Sequence, residues 1–291
     1  MSSPSKPPLV QRILPPGKFR SKLRHHTLSA LAGLSTRATR QALKKNRVQN
    51  LYFHFLPESE TDNFRKLIRR LSEDHYFLSY SDAIMRIKSG EIDKPYLSIS
   101  FDDGFESNRL AAEILAEEGI SACFFVCPDM VGKDRHALER EFSGDLGNES
   151  RMMSWAEIDS IVALGHEVGS HTLDHSVLAD LSLEAAHEQI ANSKKILESK
   201  LGSIRHFAWP RGQFHHFRPE LIDMVFAAGY ESCASAVRGS HLAQMKSPAG
   251  CIRRENCLTS WPINHVLYLL GRSTRVSSSL AGDWPVHWGR S

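Results

Sequence analysis

The chain has 291 residues, 41% of them hydrophobic and 24% charged, with a net charge of only +3. Such values exclude an intrinsically disordered protein and suit one large α/β domain with extensions, or two small domains. No run approaches about 20 apolar residues, which excludes a membrane-spanning helix at the level of sequence.

The first 46 residues are basic, with five prolines among the first 16. Residues 1–57 hold 11 Lys/Arg and no Asp or Glu, whereas the remainder holds 25 against 33, a net of −8. This asymmetry describes a basic arm that meets an anionic surface, with phospholipid headgroups and nucleic acid as the usual candidates. An amphipathic surface helix is expected over residues 18–46. The short apolar piece Thr27–Leu34 is too weak to read as a cleaved export signal.

Past the arm, strands alternate with helices. Val48–Phe55 reads as a strand, Thr61–Glu73 and Tyr80–Ser89 as helices with Gly90 as a stop, and Tyr96–Phe101 as a strand. A helix near Ser107–Glu118 ends at Gly119, and Ile120–Val126 is a buried strand. Residues 132–151 read as a loop insertion of the kind that covers a site. Ser154–Leu164 is a helix with a Ser154/Glu157 capping box, and His166–Ser170 a strand. Ser182–Lys200 is a long helix, Arg205–Trp209 a strand, and Arg218–Ala228 a helix stopped by Gly229. Weaker strands lie near Tyr230–Ala234 and Cys251–Arg254, before a helix at Trp261–Leu270. The expected organisation is an arm over 1–46, a catalytic domain over 47–271 and a loose tail over 272–291. Alternation of this kind implies parallel strands in a barrel or an open sheet, with chemistry at their C-terminal ends.

Three segments at strand ends carry chemistry. The first is Ser100-Phe101-Asp102-Asp103-Gly104. Consecutive side chains on a strand point to opposite faces, so both carboxylates reach one site only if the strand ends there and Gly104 permits an unusual turn. One carboxylate can then bind a metal while its neighbour stays free to take a proton. The second is Gly169-Ser170-His171-Thr172-Leu173-Asp174-His175. Four-residue spacing places His171 and His175 on one face of a helical turn. Two imidazoles and one carboxylate make a three-ligand site with an open position, suited to Zn²⁺ and also to Co²⁺ or Ni²⁺. Asp174 reads as a solvated residue rather than one that orients a ligand. The third is His206-Phe207-Ala208-Trp209-Pro210-Arg211-Gly212. Here Trp209 offers a flat face for a sugar ring, Pro210 and Gly212 fix the turn, and a backbone N–H supplies an oxyanion donor.

Together these segments resemble the polysaccharide deacetylase family, carbohydrate esterase family 4, also called the NodB-homology fold. The resemblance spans about residues 48–255. It implies a distorted (β/α)7 barrel and metal-dependent removal of acetyl groups from N-acetylated sugars. It also implies Asp102 as general base, Asp103, His171 and His175 as metal ligands, and the backbone of Arg211 in the oxyanion hole. Two departures stand out. The arginine that commonly holds the catalytic base in the third motif is replaced by Ala208, and the late Leu-x-His that supplies the general acid is not evident. Members with permuted motif order carry that histidine before the Asp-Asp motif. His54 fits that position, with His265 as runner-up.

The expected function is therefore a Zn²⁺-dependent deacetylase of a cell-surface glycan or its lipid-linked precursor. Another C–N hydrolase on the same scaffold, such as a deformylase or small amidase, and an inactive glycan-binding relative are the alternatives. Nucleic acid is not an expected partner. Five cysteines, an odd number without zinc-finger spacing, point to buried thiols and a reducing compartment. The expected location is cytoplasmic, with the arm resting on the inner face of the membrane.

Overall fold

The computed structural model describes residues 36–142, 144–243 and 251–279. A parallel sheet runs through it, and nearly every strand is buried on both faces. The strands are β1 (Arg47–Phe53), β2 (Tyr76–Phe77), β3 (Pro95–Phe101), β4 (Ala122–Val126), β5 (Glu167–Ser170), β6 (His206–Ala208), β7 (Ser232–Ala234), β8 (Cys251–Ile252) and β9 (Arg254–Asn256). Eight of them follow the order β8-β7-β6-β5-β4-β3-β1-β9, and β2 pairs β3 beside this path. The two ends of the path, β8 and β9, are consecutive in the chain and separated only by Arg253. β8 pairs β7 and β9 pairs β1, so this broken strand bridges the ends and makes seven staves of a nearly closed barrel. Lower on β1, Val48 exchanges two backbone hydrogen bonds with His241, at 2.9 and 2.8 Å, which covers the rest of that edge.

Helices wrap this sheet: α1 (Thr36–Leu43), α2 (Thr61–Ser72), α3 (Tyr80–Ser89), α4 (Asn108–Glu117), α5 (Arg135–Glu141), α6 (Trp155–Ala163), α7 (Leu183–Leu201), α8 (Pro219–Ala227) and α9 (Ile263–Ser279). Their ends are set by local chemistry. The Ser79 hydroxyl accepts from the Asp82 N–H to start α3, and Gly90 stops it in the left-handed region at φ 75°. Ser154 and Glu157 form the expected capping box of α6.

Strand parity sorts the core. On β1 and β3 the odd-numbered Leu51, Phe53, Leu97, Ile99 and Phe101 join the main apolar cluster with the helices. Phe101 stacks on Phe53 at 5.3 Å and on Phe124 at 5.3 Å. The even-numbered residues turn inward: Ser98 donates to Asn50, and Ser100 and Tyr52 both meet Arg254. A second apolar cluster, with Val48, Tyr80, Tyr96, Phe125 and Ile252, fills the interior. Asp102, the next even position after Ser100, therefore emerges facing the barrel axis.

Three differences from the sequence reading have physical causes. Residues 132–151 are not wholly a loop, because Asp134 caps the short helix α5 by accepting from the Ala137 N–H. α9 continues to Ser279, through residues assigned to a loose tail. Its second half is poor in helix formers, but Ser273, Thr274 and Ser277 are buried there by packing. Finally, α1 lies within the span assigned to the arm, yet Thr39, Ala42 and Leu43 are buried. Close approach makes this possible: a Cβ on Gly271 would sit 3.0 Å from the Thr39 methyl. The rest of the helix expected over 18–46, and the end of the tail, lie outside the described residues. Among the described residues, no helix is long and apolar enough to cross a membrane.

Candidate active site

All three sequence motifs meet at the C-terminal end of the barrel. A cavity of about 530 Å³ opens there, lined by Asp102, Asp103, His171, His175, His54 and Arg211 among others. That is the size of a small-ligand pocket.

The Asp-Asp-Gly turn divides its two carboxylates as the sequence suggested. The Asp102 N–H donates to Phe53 O at 2.9 Å, extending the ladder by one residue, and its side chain points inward. Asp103 then takes a left-handed backbone, φ 78°, followed by Gly104 at φ 87°. The unusual turn is thus made by the aspartate as well as the glycine. Among the described residues only four other than glycine have positive φ: Asp103, Thr172, His175 and Arg211. Each stands in a site motif. Such conformations persist only where surrounding structure over-determines them.

His171 and His175 do come together, with ring centroids 5.1 Å apart, but not on a helical turn. Residues 172–174 form a turn in which Thr172 and His175 are left-handed, at φ 65° and 68°. The Thr172 hydroxyl accepts from the His175 N–H at 3.1 Å, and Gln189 accepts from the Leu173 N–H at 2.9 Å. Asp174 is neither a solvated bystander nor a partner of a histidine. It accepts from the N–H and hydroxyl of Ser176 and from Gln189, which ties the turn to α7.

His171 Nδ1 lies 2.8 Å from Ala208 O. A carbonyl can only accept, so Nδ1 carries the proton and a neutral ring presents a lone pair at Nε2. That Nε2 and the Nε2 of His175 each lie 3.4 Å from Asp103 Oδ1. The three ligand atoms fall within 4.8 Å of one another, and all three residues are buried. Asp103 Oδ1 accepts no hydrogen bond. A buried carboxylate oxygen left so, facing two imidazole nitrogens, is the donor set that a divalent transition metal satisfies. Burial pushes His175 down to about 4, which keeps it a neutral ligand at neutral pH. Burial opposes ionisation of Asp103, yet the imidazoles that face it hold its carboxyl below the usual range.

Asp102 has a different partner. Arg254 grips it with two parallel bonds, Nη1–Oδ1 at 2.7 Å and Nη2–Oδ2 at 2.8 Å. Arg254 is itself fully buried, donates from Nε to Ser235 O at 2.8 Å, and lies 4.2 Å above the Tyr52 ring. Burial would raise Asp102, but the guanidinium, together with the nearby His171 and His54, holds the carboxyl below its ordinary value. The arginine absent at Ala208 is thus supplied by β9. Sequence reasoning missed it, although an Arg ending an apolar strand is a signal, since buried charges are paired.

The other expected site residues divide. His54, just past β1, lines the cavity, and its carbonyl accepts from Asn108 at 2.7 Å. His265 is buried in α9 and does not line it, so the runner-up for the acid is placed wrongly for that role. Trp209 touches the cavity but is 1% exposed, stacked on Phe217 at 4.6 Å and donating to His216 O. Its face is spent in the core, so it frames the site rather than offering a platform for a sugar. Pro210 is buried and Arg211 is exposed at the rim. Gly212 is required, because a Cβ there would meet the Ala236 nitrogen at 2.6 Å. The insertion covers part of the site: Phe142 packs 4.6 Å from the His175 ring, and Gly144 and Asp145 line the cavity.

Residues 89–232 match the family profile described as polysaccharide deacetylase. A chitooligosaccharide deacetylase from Azorhizobium caulinodans is 33% identical over 118 residues, 39% of this chain and 47% of that protein. The chain thus spans about half the length of the curated relative it matches. Among solved structures, the Streptococcus pyogenes deacetylase PplD superposes with a TM-score of 0.61 at 16% identity, over 78% of this chain and 98% of that one. IcaB from Ammonifex degensii gives 0.60 at 22% identity, with the same coverage. With the barrel topology and the grouped Asp, Asp, His and His, the chain belongs to the polysaccharide deacetylase family.

Proposed function

We propose that the protein is a metal-dependent N-deacetylase of an N-acetylated sugar, in a cell-surface glycan or its lipid-linked precursor. One observation carries this reading. A buried carboxylate oxygen without a hydrogen bond, Asp103 Oδ1, faces two histidines, while the adjacent Asp102 is held ionised by Arg254. Asp103, His171 and His175 would hold Zn²⁺, with Co²⁺ or Ni²⁺ as substitutes, and the ion would supply Lewis acidity toward water and the amide carbonyl. Asp102 accepts a proton from the attacking water. The turn at Arg211 offers its backbone to the developing oxyanion. His54 donates a proton to the departing sugar amine, so that amide and water leave as acetate and amine. Arg254 also removes one argument for an inactive relative, since the base has its arginine. Acetate release from a panel of N-acetyl glycans and lipid-linked sugars, measured beside formate and ammonia release, tests the activity. Formate or ammonia without acetate would transfer the site to another C–N hydrolase.

The assignment of the acid is testable separately. His54→Ala should lower kcat by about 10²–10⁴-fold with metal retained. A wild-type rate in His54→Ala would remove His54 from the mechanism.

The basic arm supports a second part of the reading, that the enzyme works at the cytoplasmic face of a membrane. Each Lys or Arg near an anionic bilayer contributes about 1 kcal/mol, so a few of the 11 in residues 1–57 suffice for binding. Full-length protein should co-sediment with anionic liposomes more than with neutral ones, and salt should reverse this. Deleting residues 1–35 should weaken sedimentation and leave turnover of a small soluble substrate intact. Equal sedimentation of the truncated protein would show that the arm is not the anchor.

A further inference from the structure

Two of the five cysteines stand apart from the others. Cys233 on β7 and Cys251 on β8 are direct cross-strand partners, and both are fully buried. In-register residues of neighbouring strands point to the same side, and strands lie about 4.8 Å apart, inside the Cα separation that a disulfide spans. Their sulfur atoms are 2.9 Å apart, closer than two thiols that merely pack. No third His, Cys, Asp or Glu joins them in a metal-binding group among the described residues. By contrast, the Cys127 thiol donates to His171 O.

We propose that Cys233 and Cys251 form a disulfide clasp when the chain folds in the presence of a small-molecule disulfide oxidant. The bond would tie β7 to the strand that closes the barrel. Arg254 lies just beyond Cys251, and the Ser235 carbonyl that accepts from its Nε lies just beyond Cys233. The clasp therefore joins the two segments that hold the arginine of the site. Formation takes two exchanges. One cysteine thiolate attacks the oxidant and releases one thiol, leaving a mixed disulfide on the protein. The second thiolate attacks that protein sulfur and expels the other thiol. The protein loses two protons and two electrons, and the oxidant is reduced to two thiols. Since both sulfurs are inaccessible once the barrel is closed, exchange precedes docking of β8. Where thiols are kept reduced, the pair stays a dithiol.

The test is to refold the full chain from denaturant with glutathione disulfide and, in parallel, with dithiothreitol. The oxidised product should be lighter by two hydrogen atoms, and its peptide map should link Cys233 to Cys251, with Cys123, Cys127 and Cys257 alkylated. A loop of 18 residues is closed, so its thermal midpoint should exceed that of the reduced product by about 5–10 °C. Cys251→Ala should abolish the difference between the two refolding conditions. Alkylation of both residues after oxidative refolding, a link to any other cysteine, or a difference that persists in Cys251→Ala would overturn the proposal.

Discussion

Protein dialysed against a strong chelator should lose all measurable deacetylation, and about one equivalent of Zn²⁺ or Co²⁺ per chain should restore it, since the site offers one ligand set. His171→Ala or His175→Ala should lose both metal and activity. The reason lies in the hydrogen bonds around the ligands. His171 is locked with Nε2 toward Asp103 by its bond to Ala208 O, and His175 is placed by a left-handed turn that Thr172 and Gln189 hold. Among the described residues, no further His, Cys, Asp or Glu joins the group of Asp103, His171 and His175. Undiminished turnover in chelated protein would remove the metal from the mechanism.

The second large effect belongs to Asp102 and Arg254. Asp102→Asn should keep the metal, because its carboxylate is gripped by the guanidinium and is not part of the group of Asp103, His171 and His175, yet lower kcat by about 10²–10⁴-fold. Arg254→Gln should act on stability as well. It leaves a buried carboxylate without its cation, at a cost of about 3–5 kcal/mol to unfolding free energy. The direction of the pH effect follows. Burial raises Asp102, and Arg254, with smaller contributions from His171 and His54, brings it below its ordinary value. Without Arg254 the carboxyl should protonate at higher pH, moving the acid limb of the pH–rate profile upward. The double variant Asp102→Asn/Arg254→Gln should be less destabilised than the sum of the singles, since the uncompensated charge is gone. Additive losses would mean that the two residues are not coupled.

What was legible in the sequence is what chemistry fixes locally. Asp102, Asp103, His171 and His175 stand in short segments at strand ends, and the capping box at Ser154 and Glu157 is written in adjacent residues. Arg254 was not legible, because its partner is 152 positions away and the two meet only when β9 closes the barrel. The turn at His171–His175 was misread for another reason. A positive φ at a β-branched residue such as Thr172 is opposed by intrinsic preference and is imposed by tertiary contacts. Trp209 looked like a sugar platform because an aromatic beside a Pro-Arg-Gly turn suggests a rim, whereas stacking on Phe217 buries it. The helix α1 was hidden by composition. Its basic residues read as an arm, while Thr39, Ala42 and Leu43 pack inward.

Acetate and free amine released from an N-acetylglucosamine oligosaccharide should be measured for the metal-replete wild type and for metal-replete Asp102→Asn. The wild type should release equal amounts of acetate and amine, and the variant should do so at a rate lower by about 10²–10⁴-fold at the same metal content. Acetate release by Asp102→Asn at the wild-type rate, or none from the metal-replete wild type on any N-acetylated sugar, would contradict the proposed mechanism.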